Sequence, residues 1–451
     1  MRRTVLAACI ALIMVGAGAA TAAPGDLVFK RCVEYTFGPE DCGRESIALN
    51  GANDLGMSRD GRSVYVPAIF GDALAHLRLN QKRGALRPVD AHCIDDVGGA
   101  DTCPRQARGL FGVGSATVSP DGRFIYTTAS SRATISILKR DRRTGSLRPR
   151  GCIEDDVLGS SGCPLNGRGM QGVTSVLISP DGRFAYASAS SDDAVAMFRR
   201  NRRNGRLRSI GCVEDAARAL SPDSSGCGRV AIGLDGSNAL AFGPGARSVY
   251  YSGGPSDAIG RFARNRRSGR LEPRECVGDV DTGPPACARS MQGLDGPNEF
   301  ATDSRRRFLH VAAGNGVSHA IATLRLRNRP GVLQPRGCLA DADSGPASGC
   351  AREADGLQVV NGLAISPDDR FMYARASIDD TVVTLKRHRR TGRLTDRGCI
   401  ADDDAPAPGS DCTREAMTIN GGGSLRISRN SRWLLSVSQI EDAVSVFRRR
   451  P

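Results

Sequence analysis

The sequence predicts an all-β protein, a seven-bladed β-propeller with four-stranded blades arranged in a closed ring. Three observations support this prediction. Cysteine pairs recur about every 60 residues, each repeat alternates apolar and polar residues between turns, and the two ends of the chain supply complementary parts of one repeat. A period of this size is typical of repeated supersecondary units, and four short strands per unit are typical of a propeller blade.

The length and composition set broad limits on the protein class. The chain has 451 residues, of which 40% are hydrophobic, 5% are aromatic and 54 are glycine. This is enough apolar material for a large core, which excludes wholesale disorder, and the glycine content argues against a mostly helical chain. All but four of the 62 basic residues are arginine, and the formal net charge is +14. Such a bias fits either an anionic ligand or a general compositional bias.

The first residues of the chain have the pattern of an export signal. Two arginines precede an apolar run over residues 5–20, and Ala20-Thr21-Ala22 is a small-x-small cleavage pattern. We therefore predict a signal peptide over residues 1–22 and a secreted, extracytoplasmic protein, with a single propeller domain over 23–451. No later stretch is long and apolar enough to span a bilayer.

The 14 cysteines beyond the predicted signal peptide fall into seven close pairs. An even number behind an export signal predicts one disulfide per repeat, and closing a loop of this size contributes roughly 3 kcal/mol. Zinc would need four converging ligands, usually closely spaced and with histidine partners, and this pattern lacks them. The predicted pairs are Cys32 with Cys42, Cys93 with Cys103, Cys152 with Cys163, Cys212 with Cys227, Cys276 with Cys287, Cys338 with Cys350, and Cys399 with Cys412.

One repeat shows how the strands are separated. Its predicted strands cover residues 175–179, 184–190, 194–199 and 207–213. The intervening turns contain Pro, Asp, Asn and Gly, which preset φ, form local side-chain hydrogen bonds or tolerate positive φ. The first turn, Ser179-Pro180-Asp181-Gly182, has counterparts at 58–61, 119–122, 243–245, 366–369 and 428–430.

The ends of the chain predict how the ring closes. The final repeat begins at Gly422 and stops after its third strand, whereas residues 27–32 read as a fourth strand followed by a cysteine loop. We predict that blade 7 combines residues 422–451 with 27–42, and that residues 28–31 pair with 444–447. Closure removes exposed strand edges; the alternative, an open solenoid, leaves both ends unpaired.

The turns between third and fourth strands are strongly basic. Their arginines could bind a polyanion such as a phosphorylated wall polymer or an acidic polysaccharide, or they could simply be solvated. Nucleic acid fits less well because no aromatic stacking platform accompanies them. The candidate residues are Arg142, Arg143, Arg202, Arg203, Arg266, Arg267, Arg389 and Arg390, and Arg140, Arg200, Arg264 and Arg387 just before them belong to the same basic rim.

The opposite face collects acidic residues from the connections between blades. Asp279-Val280-Asp281 and Asp341-Ala342-Asp343 supply oxygens that calcium prefers, but neither matches a complete calcium loop. We therefore expect no metal site and no cofactor, and calcium stays open as an alternative.

The residues just before and at the start of each first strand should face the channel mouth. Four asparagines there, Asn53, Asn238, Asn298 and Asn361, are candidate ligand-binding residues. The alternative is that they satisfy backbone groups at the strand start. Glu299 and Asp54 are candidate catalytic residues, because a carboxylate whose pKa is raised by burial can act as a general base on water.

The repeats resemble those of seven-bladed lactonase-like propellers, whose YVTN-type repeats are of the WD40-like kind. The resemblance rests on units such as Ile178-Ser179-Pro180-Asp181-Gly182-Arg183-Phe184-Ala185-Tyr186 and the following Asp193-Ala194-Val195, and it covers nearly all of residues 23–451. It implies enzymes that hydrolyse sugar lactones or act on muconate-type rings without a metal, at channel sites that combine His, Arg and Glu. Of the expected types, only Glu299 matches.

The sequence is consistent with two alternative functions. The first expectation is a secreted monomer that binds a small molecule or a polyanionic polymer without chemistry. The alternative is a metal-independent lactone hydrolase or muconate-type cyclase that uses a channel-mouth carboxylate.

Overall fold

Seven β-sheets form a ring in the computed structural model, which describes residues 23–99, 103–157, 161–314, 319–327, 330–343, 349–403 and 412–451. The predicted signal peptide lies outside the described residues. Each sheet is one blade, and its first four strands run antiparallel from the channel outward. Blade 1 begins at Gly56, and blade 7 contains both ends of the described chain.

The strands are named by their place in the blade, from blade 1 to blade 7. The first strands are Gly56–Met57, Val113–Val118, Val173–Ile178, Ser237–Phe242, Pro297–Thr302, Val360–Ile365 and Leu425–Ile427. The second strands are Ser63–Ala68, Phe124–Ala129, Phe184–Ala189, Ser248–Gly253, Phe308–Ala313, Phe371–Ala376 and Trp433–Ser438. The third strands are Ala73–Leu79, Thr134–Arg140, Ala194–Arg200, Ala258–Arg264, Ala320–Arg327, Thr381–Arg387 and Ala443–Arg449. The fourth strands are Leu86–Pro88 with Ile94–Asp96, Leu147–Asp155, Leu207–Asp215, Leu271–Asp279, Val332–Asp341, Leu394–Asp402 and Leu27–Tyr35.

A short fifth strand, which the sequence analysis did not predict, adds to every blade. Each follows the second cysteine of its disulfide and pairs in parallel with the end of the fourth strand, as Asn166 does with Glu154. The disulfide returns the chain to this edge, so the extra pairing covers it. The fifth strands are Gln106–Ala107, Asn166–Gly167, Val230–Ala231, Arg289–Met291, Glu353–Ala354, Glu415–Ala416 and Glu45–Ser46. Short 3-10 helices within the described residues lie at Asp90–His92, Arg218–Leu220 and Pro244–Ala246.

The predicted closure of the ring is confirmed. Leu27–Tyr35 pairs antiparallel with Ala443–Arg449, with Val28 opposite Arg448 and Cys32 opposite Ser445. Blade 7 therefore takes its fourth strand from the beginning of the chain and its first three strands from the end. Within the described ranges, no helix is long and apolar enough to cross a membrane.

The seven predicted disulfides are also confirmed, one in each blade. The Cα atoms of the bonded residues lie 4.8–5.4 Å apart, within the range that a disulfide bridges. Disulfides at this density are typical of extracytoplasmic proteins. The bonds join Cys93 to Cys103, Cys152 to Cys163, Cys212 to Cys227, Cys276 to Cys287, Cys338 to Cys350, Cys399 to Cys412, and, in blade 7, Cys32 to Cys42.

The second strands form the centre of the core, because every residue in all seven of them is buried. The turn that precedes them is built as its sequence suggests. In blade 2, Ser119 Oγ donates to Asp121 Oδ1 at 2.6 Å and accepts from the Phe124 amide at 3.0 Å, so the side chain fixes both ends of the turn. Gly122 takes the positive φ of 67° that this turn requires.

Adjacent blades are joined by a repeated bond between a tyrosine and an arginine. Tyr126 in blade 2 donates its hydroxyl to the Gly205 carbonyl of blade 3 at 2.7 Å and accepts from Arg200 Nε at 2.6 Å. Arg200 also pairs with Asp121 of blade 2 at 3.1 Å. The equivalent pairs are Tyr65 with Arg140, Tyr186 with Arg264, His310 with Arg387, and Tyr373 with Arg449.

This bond corrects the predicted basic rim. Arg140, Arg200, Arg264 and Arg387 are at most 6% exposed, so they hold blades together rather than face solvent. Each ends a third strand, where its own blade offers a carbonyl and the neighbouring blade offers a hydroxyl or imidazole and in most cases a carboxylate. Burial of arginine requires such partners.

Candidate functional site

The starts of the first strands meet around the mouth of the channel, on the face that also carries the connections between blades. Pairing with the second strands gives their register: Ala301 pairs with His310, Thr117 with Tyr126, and Arg426 with Leu435. Arg426 therefore occupies a position that carries Gly, Thr, Leu or Ala in the other six blades. One long cationic side chain thus enters a layer of smaller uncharged residues.

Arg426 and Asp54 form an ion pair between blades 7 and 1. Arg426 Nη2 lies 3.2 Å from Asp54 Oδ1, and Arg426 Nη1 donates to its own neighbour's carbonyl, that of Leu425, at 2.9 Å. The other oxygen of Asp54 accepts the Ala116 amide of blade 2 at 3.2 Å. The side chains are 38% and 16% exposed, so the pair still reaches the solvent of the channel.

Glu299 lies in the electric field of this pair. Removal from bulk water raises the pKa of Glu299 to about 7, with the cation of Arg426 lowering the pKa and the anion of Asp54 raising it further. A carboxyl group with this pKa is present in both protonation states near neutral pH, which suits a group that accepts and returns a proton. Glu299, Asp54 and Arg426 come from blades 5, 1 and 7, so only the closed ring brings them together.

The four candidate asparagines differ in their contacts. Asn53 Nδ2 donates to the Gly114 carbonyl of blade 2 at 2.8 Å, and Asn361 Oδ1 lies 3.5 Å from the Gly423 amide of blade 7. These two satisfy backbone groups of the next blade, as the alternative interpretation predicts. The backbone carbonyl of Asn238 accepts the hydroxyl of Ser188 at 2.7 Å, and the side chain of Asn238 is half-buried.

Two buried polar atoms at the mouth have no hydrogen-bond partner within the described part of the chain. They are Asn298 Oδ1, beside Glu299 in the sequence, and Ser424 Oγ, two residues before Arg426. Nearly all buried polar groups in proteins are hydrogen-bonded, so such atoms mark where water or a ligand is expected to bind. Both fall in the strand-start positions, which places them in the same ring of residues as Glu299.

Arg426 is the site residue that the sequence analysis missed. The family resemblance implies an arginine, and an arginine between Leu425 and Ile427 in a first strand is an available signal. The candidate positions were the strand starts, however, and Arg426 lies two residues beyond Ser424. Arg426 therefore matches a second of the residue types that the resemblance implies, besides Glu299.

The aspartates of the acidic face accept hydrogen bonds from backbone amides of the loops between blades. Asp279 accepts the amides of Asp281 and Leu294 at 3.0 and 2.9 Å, and Asp341 accepts those of Asp343 and Leu357 at 3.1 and 2.7 Å. Among the described residues, no three His, Cys, Asp or Glu side chains are grouped so that they could hold a metal ion. The four aspartates predicted as possible calcium ligands therefore do not form such a group there.

The candidate polyanion-binding arginines lie on the opposite face. All eight of them, Arg142, Arg143, Arg202, Arg203, Arg266, Arg267, Arg389 and Arg390, are exposed. They lie in turns fixed by an Asp or Asn side chain, such as Asp141, which accepts the amides of Arg143 and Thr144. In blade 6, His388 Nδ1 takes this place, accepting the Thr391 amide at 3.3 Å.

Comparison with solved structures identifies the fold of the chain. No protein-family model and no curated protein matches the chain. A putative 6-phosphogluconolactonase from Bacteroides uniformis is 18% identical, with a TM-score of 0.53 over 76% of this chain and 82% of that one. A periplasmic gluconolactonase from Pseudomonas aeruginosa is 20% identical, with a TM-score of 0.55 over 77% and 85%.

The fold also occurs with other activities. A hydrazine synthase from Kuenenia stuttgartiensis is 13% identical, with a TM-score of 0.55 over 89% of this chain and 96% of that one. Likeness at this identity establishes the architecture and leaves function to the site. The chain has the seven-bladed, lactonase-like β-propeller fold.

Proposed function

We propose that this protein hydrolyses a lactone at the channel mouth, with Glu299 as the general base. The observation that carries the proposal is the grouping of Glu299 with the Arg426–Asp54 ion pair at the channel mouth, where removal from bulk water raises the pKa of Glu299 to about 7. The likeness to solved lactonase propellers supports this alternative over the first expectation of a binding module without chemistry. The seven disulfides, together with residues 1–22 as an export signal, support action outside the cytoplasm.

The proposed reaction needs one water molecule and no other reactant. Ionised Glu299 accepts a proton from water as the water oxygen attacks the lactone carbonyl carbon. The carbonyl oxygen gains negative charge, which the guanidinium of Arg426 stabilises. The ring C–O bond then breaks, and the leaving oxygen takes the proton back from Glu299 to give a hydroxy acid.

The decisive experiment is hydrolysis of D-glucono-1,5-lactone, followed by acid release and corrected for the buffer rate. The proposal expects a rate above buffer for the unchanged protein and a loss of about 100-fold or more in Glu299→Gln. Glu353→Gln is the matched control, because Glu353 is an exposed glutamate in the fifth strand of the same blade. The same assay is run with the 6-phosphorylated lactone and with muconolactone.

Two results would overturn the proposal. One is a rate no greater than buffer with all three lactones, for protein whose circular dichroism shows it to be folded. The other is a Glu299→Gln rate equal to that of the Glu353→Gln control.

A further inference from the structure

A strongly basic groove surrounds the third-to-fourth turn of blade 6. Its volume is about 1280 Å³, and the described residues of its walls include ten arginine or lysine side chains and no carboxylate. The turn lies on the face opposite the strand starts, because successive strands of a blade run in opposite directions. The groove is therefore separate from the channel mouth that holds Glu299.

The cations come from the outer parts of two adjacent blades. Blade 5 contributes Arg325, Arg336 and Arg352, and blade 6 contributes Arg389, Arg390 and Arg393. All are exposed except Arg352, which is half-buried and donates to the Leu394 carbonyl at 2.6 Å. Among the described residues, the ion pairs of the protein include none of these six. Like charges collected without counter-charges create a local positive potential that attracts anions.

A second groove on the same face shows that this charge is not uniform around the ring. It has a volume of 890 Å³, and it lies by the third-to-fourth turns of blades 2 and 3. Its lining includes Asp60 and Asp121, and Asp121 is paired with Arg200 at 3.1 Å. The lining of the second groove therefore contains carboxylates beside its arginines. Among the described residues, the groove at blade 6 has no carboxylate in its lining; its buried Arg387 is paired with Asp303 at 3.7 Å, and its exposed cations have no such partner.

We propose that the groove at blade 6 binds a linear anionic polysaccharide that carries carboxylate or sulfate groups. Nine of the ten cations are arginines, whose planar fork donates two hydrogen bonds to one oxyanion. The two phenylalanines in the lining, Phe308 and Phe371, are only 2% and 7% exposed, so the described lining offers one exposed aromatic ring, His388, rather than a row of platforms on which successive bases stack. Single-stranded nucleic acid binding normally needs such platforms, so a sugar polymer fits better.

The test compares two matched triple variants. The first variant removes the positive charges of the turn in the groove and carries Arg389→Gln, Arg390→Gln and Arg393→Gln. The second variant removes the charges of the corresponding exposed residues in blade 4, outside the groove, and carries Arg266→Gln, Arg267→Gln and Arg270→Gln. Dissociation constants are measured for fluorescein-labelled heparin fragments and for oligogalacturonate at about 50 and 200 mM NaCl.

The proposal expects the blade 6 variant to bind at least one of these probes about tenfold more weakly, with a shallower salt dependence, and the blade 4 variant to change by about twofold or less. Heparin alone indicates sulfate recognition, and oligogalacturonate alone indicates carboxylate recognition. Equal weakening of both variants, no binding of either probe, or tighter binding of a single-stranded oligonucleotide of equal charge would overturn it. Glu299→Gln should bind normally, which separates this test from that of lactone hydrolysis.

Discussion

The hydroxyl of Tyr373 donates a hydrogen bond of 2.8 Å to the carbonyl of Gly25, 348 positions earlier in the sequence. It also accepts from Arg449 Nε at 3.0 Å. Gly25 thus occupies the same position relative to Tyr373 that Gly205 occupies relative to Tyr126. The third-to-fourth turn of blade 7 is formed by residues 449–451 together with residues 23–26. A Cβ on Gly25 would lie 2.2 Å from the Phe371 ring, so the turn requires glycine there.

We predict that Tyr373→Phe lowers the free energy of unfolding by about 1–3 kcal/mol. The change removes the hydroxyl partner of the Gly25 carbonyl and of Arg449 Nε, while the other nitrogens of Arg449 keep Ser431 and Asp368. Urea unfolding followed by tryptophan fluorescence measures the loss. Tyr126→Phe, which removes the same bond between blades 2 and 3, should lose a similar amount, and an unchanged midpoint for Tyr373→Phe would show that the terminal turn adds nothing to closure.

The buried arginines should not tolerate lysine. Arg200 donates to Tyr126, to the Gly182 carbonyl and to Asp121, and a lysine cannot reproduce this planar set. We expect Arg200→Lys to cost about 2–4 kcal/mol of unfolding free energy. The control is Arg202→Lys, an exposed residue two positions on, with an expected change below about 0.5 kcal/mol. Equal midpoints for the two variants would contradict the buried role of Arg200.

Lactone hydrolysis should depend on pH through Glu299. A general base must be ionised, so kcat/KM should rise with pH and level off above the pKa of about 7. Arg426 lowers this pKa, so Arg426→Gln should move the rise to higher pH and reduce the plateau, since the stabilising cation is lost. Rates over pH 5–9, corrected for buffer hydrolysis, give both values.

Asp54→Asn provides the opposite shift. The Asp54 anion raises the pKa of Glu299, so its removal should move the rise to lower pH. If both variants shift the profile in the same direction, the profile reports another group than Glu299.

The stability of the fold should fall as pH rises from about 6.5 to 8, above the range in which the buried His76 and His310, whose pKa values burial lowers, contribute the opposite slope. Burial, with the nearby Asp402 carboxylate, raises the pKa of Glu441 to about 8, and burial raises those of Asp235 and Asp341 to about 6. The folded state binds these protons more tightly than the unfolded state, so their stabilisation is full at low pH and is lost as pH rises through the folded pKa values. Thermal midpoints across this range test the slope.

Glu441→Gln should flatten that slope, because glutamine needs no proton. The exposed Glu353→Gln should leave it unchanged. A Glu441→Gln profile as steep as that of the unchanged protein would assign the slope to other groups.

Several features were readable from sequence because their causes are local or periodic. The Ser-Pro-Asp-Gly turns are closed by hydrogen bonds within five residues, as between Ser119 and Phe124. The disulfides link cysteines 10–15 positions apart. The fifth strands were missed because two-residue segments carry no periodic signal, and the buried Arg200 was taken for a surface residue because its partners Tyr126 and Asp121 belong to another blade.

The amino-acid pattern alone determined a seven-bladed ring, its sulfur cross-links and the blade shared by both ends, since repetition and turn chemistry are written along the chain. The three-dimensional arrangement alone decided the charged site. Arg426 meets Asp54 across 372 positions, and both act on Glu299 in a third blade. The effect of these charges on the pKa of Glu299 depends on their distances from its carboxyl group and on how far water is excluded. Both are set only when the ring closes.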